Sequence, residues 1–200
     1  MSPAVPNGRS RTGSAAGGSL ACGPVRPRIV ARAEWGARAP RAEPRLGRVE
    51  LIVLHHTTDG HRRPPSGASG VLREIQALHM DANGWADLGY NLLVDRQGRV
   101  YEGRAGGPHR AVVGAHARGA NARSTGIAVI GDFSRQPPPE AALAALVRLL
   151  AWKLSVHGLS ARGDTIVGHR EVGETQCPGS ALDGRLPELR RRVAARIATG

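Results

Sequence analysis

Residues 51–58 read Leu-Ile-Val-Leu-His-His-Thr-Thr, an apolar run that ends in two histidines. The run is nearly continuous in its apolar character, which is typical of a strand buried on both faces of a sheet. We therefore predict a strand in the middle of a sheet, from Val49 to His56. It ends in two imidazoles, each of which is able to bind a metal ion.

A second stretch completes a candidate metal site. Residues 167–179 read Val-Gly-His-Arg-Glu-Val-Gly-Glu-Thr-Gln-Cys-Pro-Gly, and a short strand predicted at residues 165–167 delivers His169. One histidine of the first stretch, together with His169 and Cys177, would supply two imidazoles and one thiolate, which suit zinc. Three protein ligands leave one position of a tetrahedral ion for water, as in catalytic zinc sites. Because neighbouring strand residues face opposite sides, and this strand is apolar on both, the residues alone leave His55 and His56 as equal candidates.

The rest of the pattern alternates between strands and helices. Apolar residues at helical spacing predict a helix at residues 69–82, in which His79 lies on the apolar stripe as a core or groove residue. We also predict a hairpin of residues 90–94 and 99–103, a strand at 126–133, a helix at 139–157 and a closing helix at 186–198. These elements predict an α/β fold with a central mixed sheet flanked by helices.

The charge of the chain is strongly positive and is carried almost wholly by arginine. The formal net charge is +12, and Lys153 is the only lysine. Such a balance favours anionic partners such as nucleic acid, anionic lipid or a cell-wall polymer, although a solvated arginine-rich surface explains it equally well. Aromatic residues make up only 3% of the chain, which argues against a stacking platform for single-stranded nucleic acid. The sequence holds no apolar run long enough to span a bilayer.

Length and composition indicate one domain with an N-terminal tail. Residues 1–27 are rich in Gly, Ser, Pro, Ala and Arg and lack apolar periodicity, so we predict a disordered basic tail followed by a folded domain at residues 28–200. The segment that ends at Cys22 is also a candidate remnant of an export signal, although it is too polar for an ordinary signal peptide. With Cys22 in the tail and Cys177 in the domain, an internal disulfide framework is not available.

Seven motifs follow one another along the predicted domain. They are Arg32-Ala33-Glu34-Trp35-Gly36, Leu54-His55-His56-Thr57, Gly84-Trp85-Ala86-Asp87-Leu88-Gly89-Tyr90, Gly114-Ala115-His116-Ala117, Ser124-Thr125-Gly126-Ile127, Ile130-Gly131-Asp132-Phe133, and Gly168-His169-Arg170 through Cys177-Pro178-Gly179. In this order and spacing they resemble the peptidoglycan recognition proteins and type 2 N-acetylmuramoyl-L-alanine amidases. The likeness runs from about residue 28 to the C terminus and is greatest to the actinobacterial branch.

The resemblance implies a fold, a cofactor and a reaction. It implies a mixed sheet with a substrate groove over a zinc ion, and hydrolysis of the amide between N-acetylmuramic acid and L-alanine in peptidoglycan. The implied zinc ligands are His55, His169 and Cys177, which selects the first histidine of the pair. The family's catalytic tyrosine corresponds to Tyr90. Thr175 stands where the phage-type amidases have a lysine, so its hydroxyl would assist Tyr90 by hydrogen bonding without adding charge.

Further side chains are candidates for the surroundings of the reacting groups, although core packing or a surface ion pair explains His56, Trp85, His116, Arg170 and Glu171 about equally well. We assign substrate binding to His56, Trp85, Asn91 and His116, and we consider His56, Arg170 and Glu171 as candidates for orienting the ligands. The expected partner is peptidoglycan and not nucleic acid, and we expect a monomer. Because the substrate lies in the cell wall, the expected site of action is extracellular or at the wall.

Three alternative functions remain at this point. Many proteins of the same family recognise peptidoglycan without cutting it, although these usually lack the cysteine ligand. The His-x-Thr pattern at residues 55–57 also occurs in two-histidine phosphoesterases, but that chemistry needs a second such pattern, which we do not find elsewhere in the sequence. Nucleic-acid binding through the arginine-rich tail and closing helix would be marked by a steep dependence on salt.

Overall fold

The computed structural model describes residues 23–58 and 67–200. Within them, six strands form one sheet: β1 (Ile29–Val30), β2 (Leu51–His56), β3 (Leu92–Val94), β4 (Val100–Glu102), β5 (Ser124–Val129) and β6 (Ile166–Gly168). Their order across the sheet is β1-β4-β3-β5-β2-β6. The β3–β4 pair is antiparallel, and the other neighbours are parallel. The predicted mixed sheet is therefore confirmed.

Strand β2 lies between β5 and β6, and all six of its residues are buried. This confirms the prediction of an interior strand. Because alternate strand residues face opposite sides, Ile52 and Leu54 point to one face of the sheet and Leu51 and Val53 to the other. His55 consequently shares the second face, and His56 the first.

Helices cover both faces of the sheet. They are α1 (Arg32–Trp35), α2 (Gly67–Ala77), α3 (Glu140–Val156), α4 (Ser180–Asp183) and α5 (Leu186–Thr199). Helices α3 and α5 pack on the Ile52 and Leu54 face and bury an apolar cluster there. Helices α1 and α2 pack on the opposite face, where Trp35, Leu72 and Ile75 are buried. The helices predicted at 139–157 and 186–198 are thus confirmed.

The helix predicted at residues 69–82 ends in a wider turn. Helix α2 stops at Ala77, and Leu78–Ala82 form a π-helical turn in which the backbone N–H of Asn83 donates to Leu78 O at 3.1 Å. Both His79 and Met80 are buried in this turn. Turns of this kind often occur at functional sites, and His79 in this turn lines a cavity at one edge of the sheet.

The strand predicted at residues 126–133 is displaced toward the N terminus. Strand β5 covers Ser124–Val129, because Gly131 adopts a φ of +138° that residues with a Cβ rarely adopt. The chain turns there and buries the ring of Phe133 against the α3 and α5 side. Strand β1, which the sequence pattern did not predict, pairs in parallel with β4 and forms one edge of the sheet.

Buried Asp87 joins four segments of the chain. The residue is only 1% exposed. Its carboxylate accepts hydrogen bonds from Gln76 Nε2 and Ala105 N, both at 2.8 Å, and pairs with Arg32 at 3.1 Å. Arg32 also donates to Gly103 O. These contacts fix the loop that leads from Trp85 to Tyr90, and they account for the arginine and the aspartate in two of the motifs.

Most of the predicted N-terminal tail lies outside the described residues. Residues 23–27 are described, and the guanidinium of Arg26 lies over the ring of Trp152 at 5.7 Å from its centroid. In the described part of the chain, no helix is both long and apolar enough to cross a bilayer.

Candidate metal centre

Three side chains from distant parts of the sequence converge at one edge of the sheet. His55 lies at the carboxyl end of β2, His169 follows β6 directly in a short 3₁₀ turn (His169–Glu171), and Cys177 lies in the loop after that turn. Potential ligand atoms of these three residues all lie within 4.8 Å of one another. The parallel pairing of β2 with β6 aligns their carboxyl ends, so both histidines emerge at the same edge.

The spacing of the donor atoms fits a zinc ion. Cys177 Sγ lies 3.6 Å from His55 Nδ1. In a tetrahedral site with ordinary Zn–S and Zn–N bond lengths, a sulfur and a nitrogen ligand lie about 3.6 Å apart. Two imidazoles and one thiolate are a ligand set that zinc favours. The residues present therefore fit the metal that the resemblance implies.

The environment of Cys177 suits a thiolate only if a cation is near. Burial raises the pKa of the Cys177 thiol to about 11, although the backbone N–H of His56, 3.4 Å from Sγ, favours the charged form. A divalent cation deprotonates a coordinating thiol outright. Cys177 is a free cysteine, so its sulfur is available for this role.

The structure distinguishes His55 from His56. The imidazole of His55 faces His169 and Cys177, with the two histidine ring centroids 4.5 Å apart. The imidazole of His56 faces the opposite side of the sheet, where Nδ1 accepts a hydrogen bond from Phe133 N at 3.2 Å and lies 3.7 Å from Asp132 Oδ1. The alternation of the strand therefore places one histidine in the cluster and the other behind it.

An open cavity of about 340 Å³ lies over the three candidate ligands. Tyr90 and Thr175, which the resemblance makes catalytic, both line it. The ring centroid of Tyr90 is 5.1 Å from that of His55. Thr175 Oγ1 accepts a hydrogen bond from Cys177 N at 3.2 Å, so its position is tied to the thiol ligand.

The residues assigned to substrate binding occupy different positions. Trp85 and His116 line the cavity, and Trp85 is half-buried. His56 also borders the cavity, although its imidazole Nδ1 faces Phe133 on the other side of the sheet. Asn91 lies deeper: its amide donates to Val112 O at 2.8 Å and its carbonyl oxygen accepts from Gly126 N at 2.8 Å. Both ends of the Asn91 amide are thus engaged by the backbone.

Arg170 and Glu171 brace the segments that carry the ligands. Arg170 donates to Gln176 O at 2.6 Å, one residue before Cys177, and lies 3.6 Å from Asp183. Glu171 accepts from Gly168 N at 2.7 Å, one residue before His169. Arg170 and Glu171 therefore hold the backbone next to Cys177 and His169 in place.

His79 is a cavity residue that sequence reasoning left without a specific role. Its Nδ1 accepts a hydrogen bond from Gly89 N at 3.0 Å, and its ring packs on Trp85 with centroids 4.7 Å apart. Burial lowers the pKa of His79 to about 4, so the ring is neutral at physiological pH. Its place at the end of the helix just before the Gly84-Trp85 motif was the signal that could have identified it.

Known proteins support this architecture. The family model described as N-acetylmuramoyl-L-alanine amidase (Amidase_2) matches residues 45–180, which contain all three candidate ligands. The chain belongs to the N-acetylmuramoyl-L-alanine amidase family. This confirms the resemblance on which the site residues were assigned.

Relatives of this amidase family chain include recognition proteins and amidases. Peptidoglycan-recognition protein SC2 of Drosophila melanogaster is 37% identical over 155 residues, which cover 77% of this chain and 82% of that protein. The human N-acetylmuramoyl-L-alanine amidase is 37% identical over 165 residues, which cover 78% of this chain and 27% of that protein.

Solved structures show the same fold. Drosophila PGRP-LB superposes with a TM-score of 0.70 at 31% identity, covering 80% of this amidase family chain and 92% of the other. Peptidoglycan recognition protein LE, solved in complex with tracheal cytotoxin, a monomeric diaminopimelic acid-type peptidoglycan, superposes with a TM-score of 0.71 at 31% identity and the same coverage.

Proposed function

We propose that this protein is a zinc-dependent amidase that hydrolyses the bond between N-acetylmuramic acid and L-alanine in peptidoglycan. The observation that carries the proposal is the convergence of His55, His169 and Cys177 beneath a cavity that Tyr90 also lines. Three protein ligands leave a coordination position open, as catalytic zinc requires. The family membership of the chain supplies the reaction class.

The roles of the chain's own groups follow from their places. When bound, zinc supplies a nucleophilic water at neutral pH and polarises a carbonyl group as a Lewis acid. The Tyr90 hydroxyl is proposed to donate a hydrogen bond to the oxygen of the scissile carbonyl as negative charge develops on it. The Thr175 hydroxyl is held beside Cys177 because it accepts a hydrogen bond from the backbone N–H of Cys177. It is proposed to assist Tyr90 by hydrogen bonding without adding charge.

Peptidoglycan is the proposed partner. The family membership of the chain supports this choice, as does the peptidoglycan fragment with which recognition protein LE was solved. Trp85, which is half-buried in the lining of the cavity, is proposed to contact the sugar or peptide portion with its indole ring. A substrate in the cell wall implies action outside the cell or at the wall, and a single chain holds every group of the proposed site, so we propose a monomer.

Internal ion pairs weaken the nucleic-acid alternative. Of the arginines on or beside α5, Arg185 pairs with Glu188 at 2.8 Å, Arg190 with Glu171 at 3.3 Å and Arg192 with Glu140 at 2.5 Å. These arginine side chains already pair with carboxylates, whereas binding of nucleic acid would require them to contact phosphate groups.

Incubation of the purified protein with isolated peptidoglycan tests the proposal. The soluble products are identified by mass spectrometry for the wild type, for the wild type with a chelator, and for Cys177→Ala. We expect stem peptides with a free L-alanine amino group from the wild type alone, and recovery of the chelated sample on adding zinc. Cys22→Ala changes the other cysteine of the chain and is the matched control.

A different result identifies the recognition alternative. If zinc-loaded wild-type protein sediments with the wall and releases no fragment, the amidase proposal fails. The protein would then be a binding module of the same family.

A further inference from the structure

The two ring nitrogens of His55 face different partners. One faces the candidate metal site, and the other faces His116. Its Nδ1 lies 3.6 Å from Cys177 Sγ, and its Nε2 lies 3.0 Å from Nδ1 of His116. The two imidazoles meet edge to face, with an interplanar angle of 79° and centroids 5.0 Å apart. Both rings are more than nine-tenths buried. The contact is therefore a specific hydrogen bond inside the protein.

The backbone leaves a fitted space for the His116 ring. A Cβ atom added at Gly126 would lie 2.4 Å from Cγ and Cδ2 of His116, and one added at Gly114 would lie 2.4 Å from Cδ2. Real Cβ atoms do not approach this closely, so both positions must lack a side chain for the ring to lie where it does. The loop is held as well, because Asn121 Oδ1 accepts from the backbone N–H groups of His116 and Ala117 at 2.8 and 2.9 Å.

We infer that His116 is a positioning residue for the metal ligand His55, rather than primarily a substrate-binding residue, and that it selects Nδ1 of His55 as the nitrogen that faces the metal. The inference rests on the proposed zinc site. A neutral histidine that ligates through Nδ1 carries its proton on Nε2. In this geometry that proton is donated to His116 Nδ1, which fixes both the tautomer and the rotation of the His55 ring.

The second nitrogen of His116 supports this assignment. Once Nδ1 accepts from His55, the proton of a neutral His116 lies on Nε2. That atom is buried and has no hydrogen-bond partner among the described residues. The hydrogen bond that the structure shows for this ring is therefore the one at Nδ1, which faces the ligand His55.

Zinc affinity, measured by competition with a chromophoric chelator, tests the inference. We expect His116→Ala to weaken zinc binding by about 10- to 100-fold, the usual effect of removing a hydrogen-bond partner of a ligand. His116→Asn places an amide oxygen where Nδ1 was and should recover most of the affinity. Gly126→Ala keeps His116 but displaces its ring, and should weaken binding as His116→Ala does.

His79→Ala is the matched control. His79 is a second buried histidine of the same cavity, but its ring contacts Trp85 and Tyr90 rather than a ligand, so we expect wild-type zinc affinity. Urea unfolding in the presence of chelator shows whether each variant is folded before its affinity is compared. The absorption spectrum of the cobalt-substituted proteins reports whether the remaining ligands are unchanged.

The outcomes separate this inference from the proposed function. If His116→Ala binds zinc as tightly as the wild type, the inference fails while the zinc site stands. If its zinc affinity is unchanged but the loaded variant no longer sediments with peptidoglycan, His116 is a substrate-binding residue instead. If the wild type itself binds no zinc, both the proposed function and the inference are wrong.

Discussion

Tyr90 is the proposed hydrogen-bond donor of the candidate site. Its ring packs beside His55 and His79, with centroids 5.1 and 5.6 Å away. The rings of His55 and His79 therefore position the Tyr90 ring in the cavity. A donor of this kind acts mainly on the charge that develops in the transition state, so its loss should affect the rate more than binding.

Tyr90→Phe should therefore lower the amidase rate by about 10²- to 10³-fold while zinc affinity and sedimentation with peptidoglycan stay near wild type. The chain has two tyrosines, and Tyr101, whose hydroxyl donates to Asp95 at 2.9 Å outside the cavity, provides the control. Tyr101→Phe should keep its activity. Equal rates for Tyr90→Phe and the wild type, measured by release of stem peptides, would remove Tyr90 from the mechanism.

Among the elements, the start of β3 and the middle of β5 are joined by a side chain as well as by the sheet. Asn91 receives the N–H of Gly126 and donates to Val112 O. Through these two bonds, it links β5 to the segment that leads into Gly114 and His116. Asn91 therefore helps to form the space that holds the His116 ring. Its place next to Tyr90 in the sequence did not indicate this role.

Asn91→Leu should destabilise the fold, because it leaves the N–H of Gly126 and the carbonyl of Val112 unpaired in the interior. Each unpaired group costs about 1–3 kcal/mol, so a loss of roughly 2–6 kcal/mol in the free energy of unfolding is expected from urea titration. Asn121→Ala, which removes the acceptor for two backbone N–H groups at a half-buried position, should cost less. A stable Asn91→Leu variant that fails to bind peptidoglycan would show instead that Asn91 contacts the substrate.

In the molecule as a whole, the burial of histidine side chains makes the stability of the fold depend on pH. Burial lowers the pKa of His79 to about 4, and burial together with nearby Lys153 lowers that of His157 to about 4. In the unfolded chain both groups titrate near 6.5. Between these values the unfolded state binds more protons than the folded state, so stability rises with pH there and is lost as pH falls from about 6.5 toward 4.

His79→Asn should flatten this pH dependence. The asparagine oxygen can still accept the N–H of Gly89, but it does not titrate. Between pH 7 and pH 4.5 the wild type should lose roughly 2–3 kcal/mol more of its unfolding free energy than the variant. Urea titrations at both pH values, with chelator present so that protons do not compete with zinc, measure the difference. Parallel losses in the two proteins would contradict the assigned pKa of His79.

Much of the fold could be predicted from the sequence, because it is encoded in local patterns. The continuous apolar run of β2 and the stripe of α3 specified buried elements, and both are where the periodicity placed them. The ends of elements were less accurate. β5 stops early because of the backbone turn at Gly131, and α2 widens into a π-helical turn at Leu78–Ala82. Such endings depend on contacts with other segments.

The sequence by itself determined which residue types could form the centre: two neighbouring histidines, His169 and Cys177. The residue pattern could not choose between His55 and His56, since both fit the same apolar strand, and only the family resemblance selected His55. The tertiary structure shows the physical difference, because His55 faces the thiol and His56 faces Phe133. The hydrogen bond from His55 to His116 joins residues 61 positions apart, and the contact with Cys177 joins residues 122 apart. Local periodicity carries no information at such separations. Strand order and register bring these side chains together, and they are settled by burial of the whole sheet.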